Sequence, residues 1–284
     1  MIGARLAVLT TVTMVAFAAN SVFCRQALTL TAIDPAAFTL IRIGSGAAVL
    51  YALASMRGGG GGVAGSWPAA VALFLYAACF SFAYLSLAAA TGALLLFAAV
   101  QATMILRGLM AGERLNRVQW IGFAAALAGV LILLLPGATA PEPVGAALMM
   151  LAGMAWGAYS LMGRRSGDPL TATAGNFLRA MPLAVLPAVV MAAAGHWSVD
   201  AAGVAYAVLS GALASGCGYA LWYSVLPGLG AINAASVQLS VPVITALGGV
   251  LLLGEMVSAR LVLASVAVLG GIALVVRGRL RGVV

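Results

Sequence analysis

Ten apolar segments, each near the about 20 residues needed to cross a hydrocarbon core, follow one another along this chain with short loops between them. They run roughly over 5–25, 35–56, 68–90, 93–111, 118–135, 144–163, 171–193, 201–226, 231–253 and 259–276. In hydrocarbon each segment must satisfy its own backbone hydrogen bonds, so the expected fold class is an all-α integral membrane protein with ten transmembrane helices. Composition agrees: 64% of the 284 residues are hydrophobic and 7% charged, against about 25% charged in soluble domains. Turn-forming residues fall between the segments, at Asp34-Pro35, Gly58 to Gly62, Pro136-Gly137 through Pro143, Gly167-Asp168-Pro169 and Pro227-Gly228. Arg5, the apolar run after it and Ala16-Phe17-Ala18 resemble a secretory leader. That segment has a counterpart later in the chain, however, and is read as the first span.

Charge sets the orientation. The net charge of +8 comes from fourteen Arg, with no Lys, against six acids. A nucleic-acid surface would gather such charge on one soluble face; here it is scattered between apolar segments, which argues against that partner. With the N-terminus in the cytoplasm, Arg5, Arg57, Arg114, Arg117, Arg164, Arg165, Arg277, Arg279 and Arg281 fall on the inner side. Only Arg25 and Arg260 fall in outer loops. The bias predicts cytoplasmic N- and C-termini and a multi-pass place in a bacterial inner (plasma) membrane, with the lipid bilayer as partner and a monomer compatible.

Cys24, Cys79 and Cys217 lie inside apolar runs without Cys-x-x-Cys spacing and read as small packing residues. No nucleotide loop, His-Glu-x2-His or Cys/His metal spacing occurs, so no cofactor, metal or catalytic residue is assigned. A membrane enzyme would need a buried nucleophile with a base, and the spans hold neither His nor an acid for that task.

The chain matches itself at long range. Phe17 to Ser21, followed by Arg25, lines up with Trp156 to Ser160, followed by Arg164, at an offset of 139; Leu40-Ile41-Arg42 lines up with Phe177-Leu178-Arg179 at 137. Val100-Gln101 matches Val237-Gln238 at 137, and Gly112-Glu113 matches Gly254-Glu255 at 142. Five spans per half is an odd number, so the second copy is inserted upside down. The expected organisation is a first five-helix repeat over 1–136, a linker at 137–143 and an inverted repeat over 144–284, an architecture common among secondary transporters. Gln101 stands 12 residues before Glu113 and Gln238 stands 17 before Glu255; if the two amides correspond, the fourth span is shorter than the ninth.

Ala155-Trp156-Gly157-Ala158-Tyr159-Ser160, the in-span Arg42 and Arg179, and the two Gly-Glu endings resemble the drug/metabolite transporter superfamily, EamA type. With Gly218-Tyr219-Ala220-Leu221-Trp222-Tyr223 they look closest to its aromatic amino-acid exporter branch. Phe17-Ala18 departs from the Trp-Gly common in the first span of that family, and no proline follows Gln101. The resemblance implies a central cavity lined by spans one, three, four, six, eight and nine. It also implies export by alternating access of a small-molecule substrate, amino acids including aromatic ones, or alternatively drug-like organic cations. A polytopic membrane enzyme or a channel is the reading from another class.

The residues themselves suggest contacts rather than bond-making. Trp156, Tyr159 and Ser160 share one helix face at i, i+3, i+4, and Tyr219, Trp222 and Tyr223 repeat that spacing; Phe80 and Tyr84 make a shorter stripe. Each set reads as a cavity wall for amphipathic molecules or as an interfacial belt. The amides are Asn20, Gln101, Asn176, Asn233 and Gln238, which line a path or act as interhelical glue. The substrate contacts expected are Gln101, Trp156, Tyr159, Tyr219 and Gln238, then Asn20, Tyr84 and Tyr223. A centre-of-helix arginine costs about 3 kcal/mol on insertion scales, so Arg42 and Arg179 need a reason: a substrate carboxylate, or helix-end carbonyls in a structural network. Asn176 is expected to partner Arg179, Arg107 to reach for the interface, and Glu113 and Glu255 to pair with arginines and cap the next helix. All six acids and His196 fall at loops or span ends, so transport without a dedicated proton carboxylate is expected.

Overall fold

The computed structural model describes residues 2–57, 64–163 and 167–278. The Gly58 to Gly62 turn and Arg164, Arg165, Arg279 and Arg281 lie outside them. The described chain is helical: α1 (Ile2–Leu30), α2 (Pro35–Met56), α3 (Trp67–Ala83), α4 (Ala89–Met110), α5 (Arg117–Leu134), α6 (Pro143–Gly163) and α7 (Pro169–Ala193). Then come α8 (Ala201–Val208), a π-helical segment (Leu209–Cys217), α9 (Gly218–Gln238), α10 (Ser240–Leu253) and α11 (Ala259–Gly278). Among the described residues nine helices are long and apolar enough to cross a membrane, and Trp67–Ala83 is a further, shorter apolar helix.

One boundary and one relative length differ from expectation. The third span stops at Ala83, where Tyr84 caps it and the N–H groups of Ser86 and Leu87 bond back to the Ala83 carbonyl. The fourth helix therefore starts at Ala89 and has 22 residues, while the ninth span, Asn233–Leu253, has 21, so the fourth is not the shorter. The eighth and ninth spans, Ala201–Leu229 and Asn233–Leu253, divide just after Pro227-Gly228 as expected. The helical winding itself continues past Pro227 to Gln238, as membrane helices can when neighbours satisfy the freed backbone groups, and breaks at Leu239. Pro242 then sits in the first turn of α10, where an N–H has no intrahelical partner to lose.

Helix ends recur in pairs. Asp34 and Asp168 cap α2 and α7 through side-chain oxygens that accept backbone N–H bonds, with Pro at the first helical position of each. Ser66 and Asp200 cap α3 and α8 in the same way. Each of these pairs is 134 residues apart. Gly112 and Gly254 follow α4 and α10 at φ +89° and +66°, the left-handed conformation that glycine supplies at helix ends. Asn116 and Ser258 then accept bonds from the N–H three residues on. These later pairs are 142 apart. The difference is made between Asp200 and Gly254, the stretch that carries the nine-residue π segment.

Packing brings the two halves of the chain together rather than apart. α2 lies on α7, α4 on α10 and α5 on α11; α3 lies on α6, and α1 on α8 and the π segment; α4 also packs on α6, and α1 on α10. Small residues permit the close approaches. A Cβ at Gly122 would sit 2.5 Å from the Gly271 carbonyl oxygen, and one at Gly211 2.1 Å from that of Arg42. Gly211 thus sets the π segment directly against the α2 backbone at Arg42.

Candidate functional site

Arg42 organises one end of the site. Only 2% exposed, its guanidinium lies over the rings of Tyr76 and Phe80, at 5.1 and 4.8 Å from their centroids. Such cation–π contacts contribute about 2 kcal/mol when desolvated, and they explain how a charge survives among apolar helices. Nη2 donates to the Tyr76 hydroxyl at 2.9 Å. The same oxygen accepts from Asn20 Nδ2 at 3.2 Å, and Asn20 Oδ1 accepts from the Ser210 hydroxyl at 2.6 Å. Helices α1, α2, α3 and the π segment therefore meet through one polar chain. Arg42 Nη1 is buried and has no hydrogen-bond partner.

A run of stacked rings leads away from this point. Tyr76 meets Trp156 at 4.9 Å, and Trp156 stacks on Tyr219 (5.4 Å, 18° between planes) and on Tyr159 (5.3 Å, 28°). Tyr219 in turn faces Tyr223 at 6.5 Å and 30°. The rings come from α3, α6 and α9, and Trp156 is only half-buried. At the far end the Thr173 hydroxyl stands 2.8 Å from that of Tyr223 and donor-acceptor distance to that of Tyr159 is 3.3 Å. Asn176 Nδ2 also donates to Tyr159, at 3.4 Å. The rings stack on one another here, with hydroxyl and amide groups at the far end.

Asn176 marks where the stack meets the end of the bundle. Its Oδ1 accepts the Ser66 N–H at 2.9 Å, and it borders a cleft of about 430 Å³ whose lining includes Ser66, Met162, Asp168 and Thr171. Asn176 is thus not the expected partner of Arg179; its amide serves Ser66 and Tyr159. Arg179 Nη1 donates to the carbonyls of Ala64 (2.6 Å) and Gly175 (3.1 Å), fixing the segment before α3 against α7. Outside the helices, Asp168 is held below the usual carboxylate range, first by a hydrogen bond from the Thr171 hydroxyl and then by the Leu170 N–H.

The opposite end is tied by Glu255. Its carboxylate pairs with Arg25 at 3.2 Å and accepts the Ala89 N–H at 2.8 Å, capping α4. Arg25 also donates to the carbonyls of Tyr84 and Leu85. The ion pair with an arginine was expected; the cap falls on α4 rather than on the next helix.

Of the expected contacts, Asn20, Trp156, Tyr159, Tyr219 and Tyr223 come together. Tyr84 stands apart as a packing residue, fully buried, edge-on to Phe80 and donating to the Ala89 carbonyl. Gln101 and Gln238 are half-buried and Asn233 is exposed; none of the three enters the hydrogen-bonded chain around Arg42 and Tyr76. Trp222 packs edge-on against Phe17 beside Met14 and Val225. Arg107 is exposed in the last turn of α4.

The residues that sequence reasoning missed are Tyr76, Ser210 and Thr173. Tyr76 carried a signal: it stands four residues before Phe80 and eight before Tyr84 on one face of α3. Ser210 and Thr173 are small hydroxyls in apolar runs, and nothing in the sequence set them apart.

Comparison with known proteins agrees with this picture. The EamA-like transporter family model matches twice, over residues 4–135 and 143–277. An uncharacterized protein of Pseudomonas aeruginosa is 57% identical over 277 residues, covering 97% of this chain and 96% of that one. The threonine/homoserine exporter RhtA of Salmonella typhimurium is 33% identical over 129 residues, 44% of this chain and 42% of that one. A solved crystal structure superposes with a TM-score of 0.63 at 22% identity, covering 93% of this chain and 98% of that one, a likeness of fold. With both long stretches of the chain matched, this multi-span membrane protein belongs to the EamA-like transporter family.

Proposed function

We propose that the protein is a secondary transporter of the bacterial inner membrane that exports amino acids, aromatic ones among them, by alternating access between two five-helix halves of opposite orientation. The observation that carries the reading is the ring stack of Tyr76, Trp156 and Tyr219, built where helices of both halves meet and bounded by hydrogen-bonding groups at each end. Duplication is supported by the double family match, by the paired helix caps and by the packing. Exchanging the two halves turns the α2–α7, α4–α10 and α5–α11 contacts into themselves and the α3–α6 contact into that of α1 with the eighth span. Rocking of one such unit against the other exposes a shared site alternately to each side. The likeness to a threonine/homoserine exporter supports amino acids over drug-like cations. Transport then runs down a gradient or by exchange, because proton relays use intramembrane Asp, Glu or His.

The test is counterflow in proteoliposomes with labelled threonine, homoserine, phenylalanine and an aromatic cation. Accumulation of at least one amino acid, lost in Trp156→Ala, supports the reading. Uptake of the cation alone, or amino-acid exchange indifferent to Trp156→Ala, overturns it.

A further inference from the structure

We propose that Arg42 is the anion receptor of the site: its buried, unpartnered Nη1 takes a carboxylate oxygen of the transported solute, so that carboxylate-bearing molecules are selected and organic cations are turned away. The proposal rests on the transporter reading above and names the substrate class.

Three observations carry it. First, the charge is uncompensated. Removing a guanidinium from water costs several kcal/mol unless a counter-ion and hydrogen bonds return it, and Arg42 pairs with no carboxylate among the described residues. Rings soften the cost but leave one N–H face of the head without an acceptor. Second, the acceptors in the hydrogen-bonded chain at Arg42 are already taken. The Tyr76 oxygen already accepts from Arg42 and Asn20, and Asn20 Oδ1 is taken by Ser210. The Tyr76 hydroxyl proton and Arg42 Nη1 remain as donors. A site with surplus donors and a fixed positive charge is complementary to a carboxylate, which only accepts. Third, the receptor is adjacent to the walls. Tyr76 links Arg42 to Trp156 and so to the stack; a solute whose carboxylate sits on Arg42 and Tyr76 has its side chain directed along Trp156 and Tyr219. The Arg42 backbone lies directly against Gly211, and Tyr76 and Phe80 hold the guanidinium.

The same charge works against a cationic solute. A quaternary or protonated amine entering beside an uncompensated guanidinium meets like-charge repulsion in a low-dielectric setting, whatever the aromatic walls offer it.

The experiment uses the purified full chain in detergent, with melting followed as benzoate, threonine and threonine methyl ester are added. Wild type is expected to gain stability from benzoate and threonine and not from the ester. The apparent affinity for benzoate falls roughly tenfold or more in Arg42→Gln, consistent with a lost charged hydrogen bond, recovers in part in Arg42→Lys, and is unchanged in Arg179→Gln. Equal response of wild type to threonine and its ester overturns the proposal without any variant. Unchanged benzoate affinity in a folded Arg42→Gln overturns it too. Counterflow separates the two readings. Amino-acid exchange that persists at wild-type KM in Arg42→Gln leaves the transporter and removes the receptor. Benzoate binding that depends on Arg42, in a protein that exchanges no amino acid, keeps the receptor and removes the exporter.

Discussion

Arg42 and Arg179 both lie inside a proline-started helix, the one eight residues after its Asp34 cap and the other eleven after its Asp168 cap, and the protein uses them in opposite ways. Arg179 is half-buried and spends its head on the carbonyls of Ala64 and Gly175, closing a loop onto α7. Arg42 is fully enclosed, bonded to one phenol and covered by two rings, with a donor to spare. A guanidinium matched to carbonyl oxygens is a staple. One left short of acceptors is a binding group that also strains the fold around it.

The comparison can be broken most forcefully at the glycines beside each arginine. A Cβ at Gly175 would lie 1.7 Å from the Ala64 oxygen, and one at Gly211 2.1 Å from the Arg42 oxygen. Both contacts are with backbone, which cannot swing aside. Gly175→Ala and Gly211→Ala are each expected to destabilise the protein by about 3 kcal/mol, the upper end of ordinary overpacking, read as early melting in detergent. A variant that melts like wild type would show that the neighbouring helix is free to move.

A sharper contrast follows from the arginines themselves. Arg179→Gln removes the donor from the exposed Ala64 carbonyl, which water can replace, and is expected to cost about 0.5–1.5 kcal/mol. Arg42→Gln removes an uncompensated buried charge and is expected to melt no earlier than wild type, while solute binding fails. Equal destabilisation by the two changes would dissolve the distinction between staple and receptor.

The smallest effect is expected at the helix cap on the Arg179 side. Hydrogen bonds hold the Asp168 carboxyl below its ordinary range. A depressed folded-state pKa contributes stability that is fully present above the unfolded value, about 3.9, and is lost as pH falls through the folded value. The melting difference between wild type and Asp168→Asn should therefore shrink as the pH is lowered below about 4; a difference independent of pH would mean that the charge contributes nothing.

Much of this was legible in the chain. The apolar segments and their breakers marked nearly every helix, because hydrocarbon tolerates so few alternatives. The Gly-Glu endings became matching left-handed caps at Gly112 and Gly254, and Asn20, Trp156, Tyr159 and Tyr219 did converge. The long-range matches were harder to read: Gln101 and Gln238 stand 137 residues apart, while the paired helix caps stand 134 apart before them and 142 apart after them. Tyr76 was missed for a different reason: its importance lies in reaching Asn20 and Arg42, 56 and 34 residues away in sequence, and helical spacing reports only what lies within one face. The turn at Tyr84 was hidden inside an unbroken apolar run, with no Gly or Pro to announce it.

The π segment at Leu209–Cys217 gives one last lesson about what this chain tolerates. In an ordinary helix every residue adds about 100° of rotation, and the wider winding here resets the angular phase at which α9 emerges. Tyr219 and Tyr223 lie directly downstream of it. Each residue of the wider winding turns the chain less than an ordinary one, so removing a single residue between Leu209 and Cys217 lets the stretch tighten into ordinary helix while the downstream face stays nearly where it was. That stretch is slack in the helix, able to absorb a change of length that a regular span would pass on to the tyrosines.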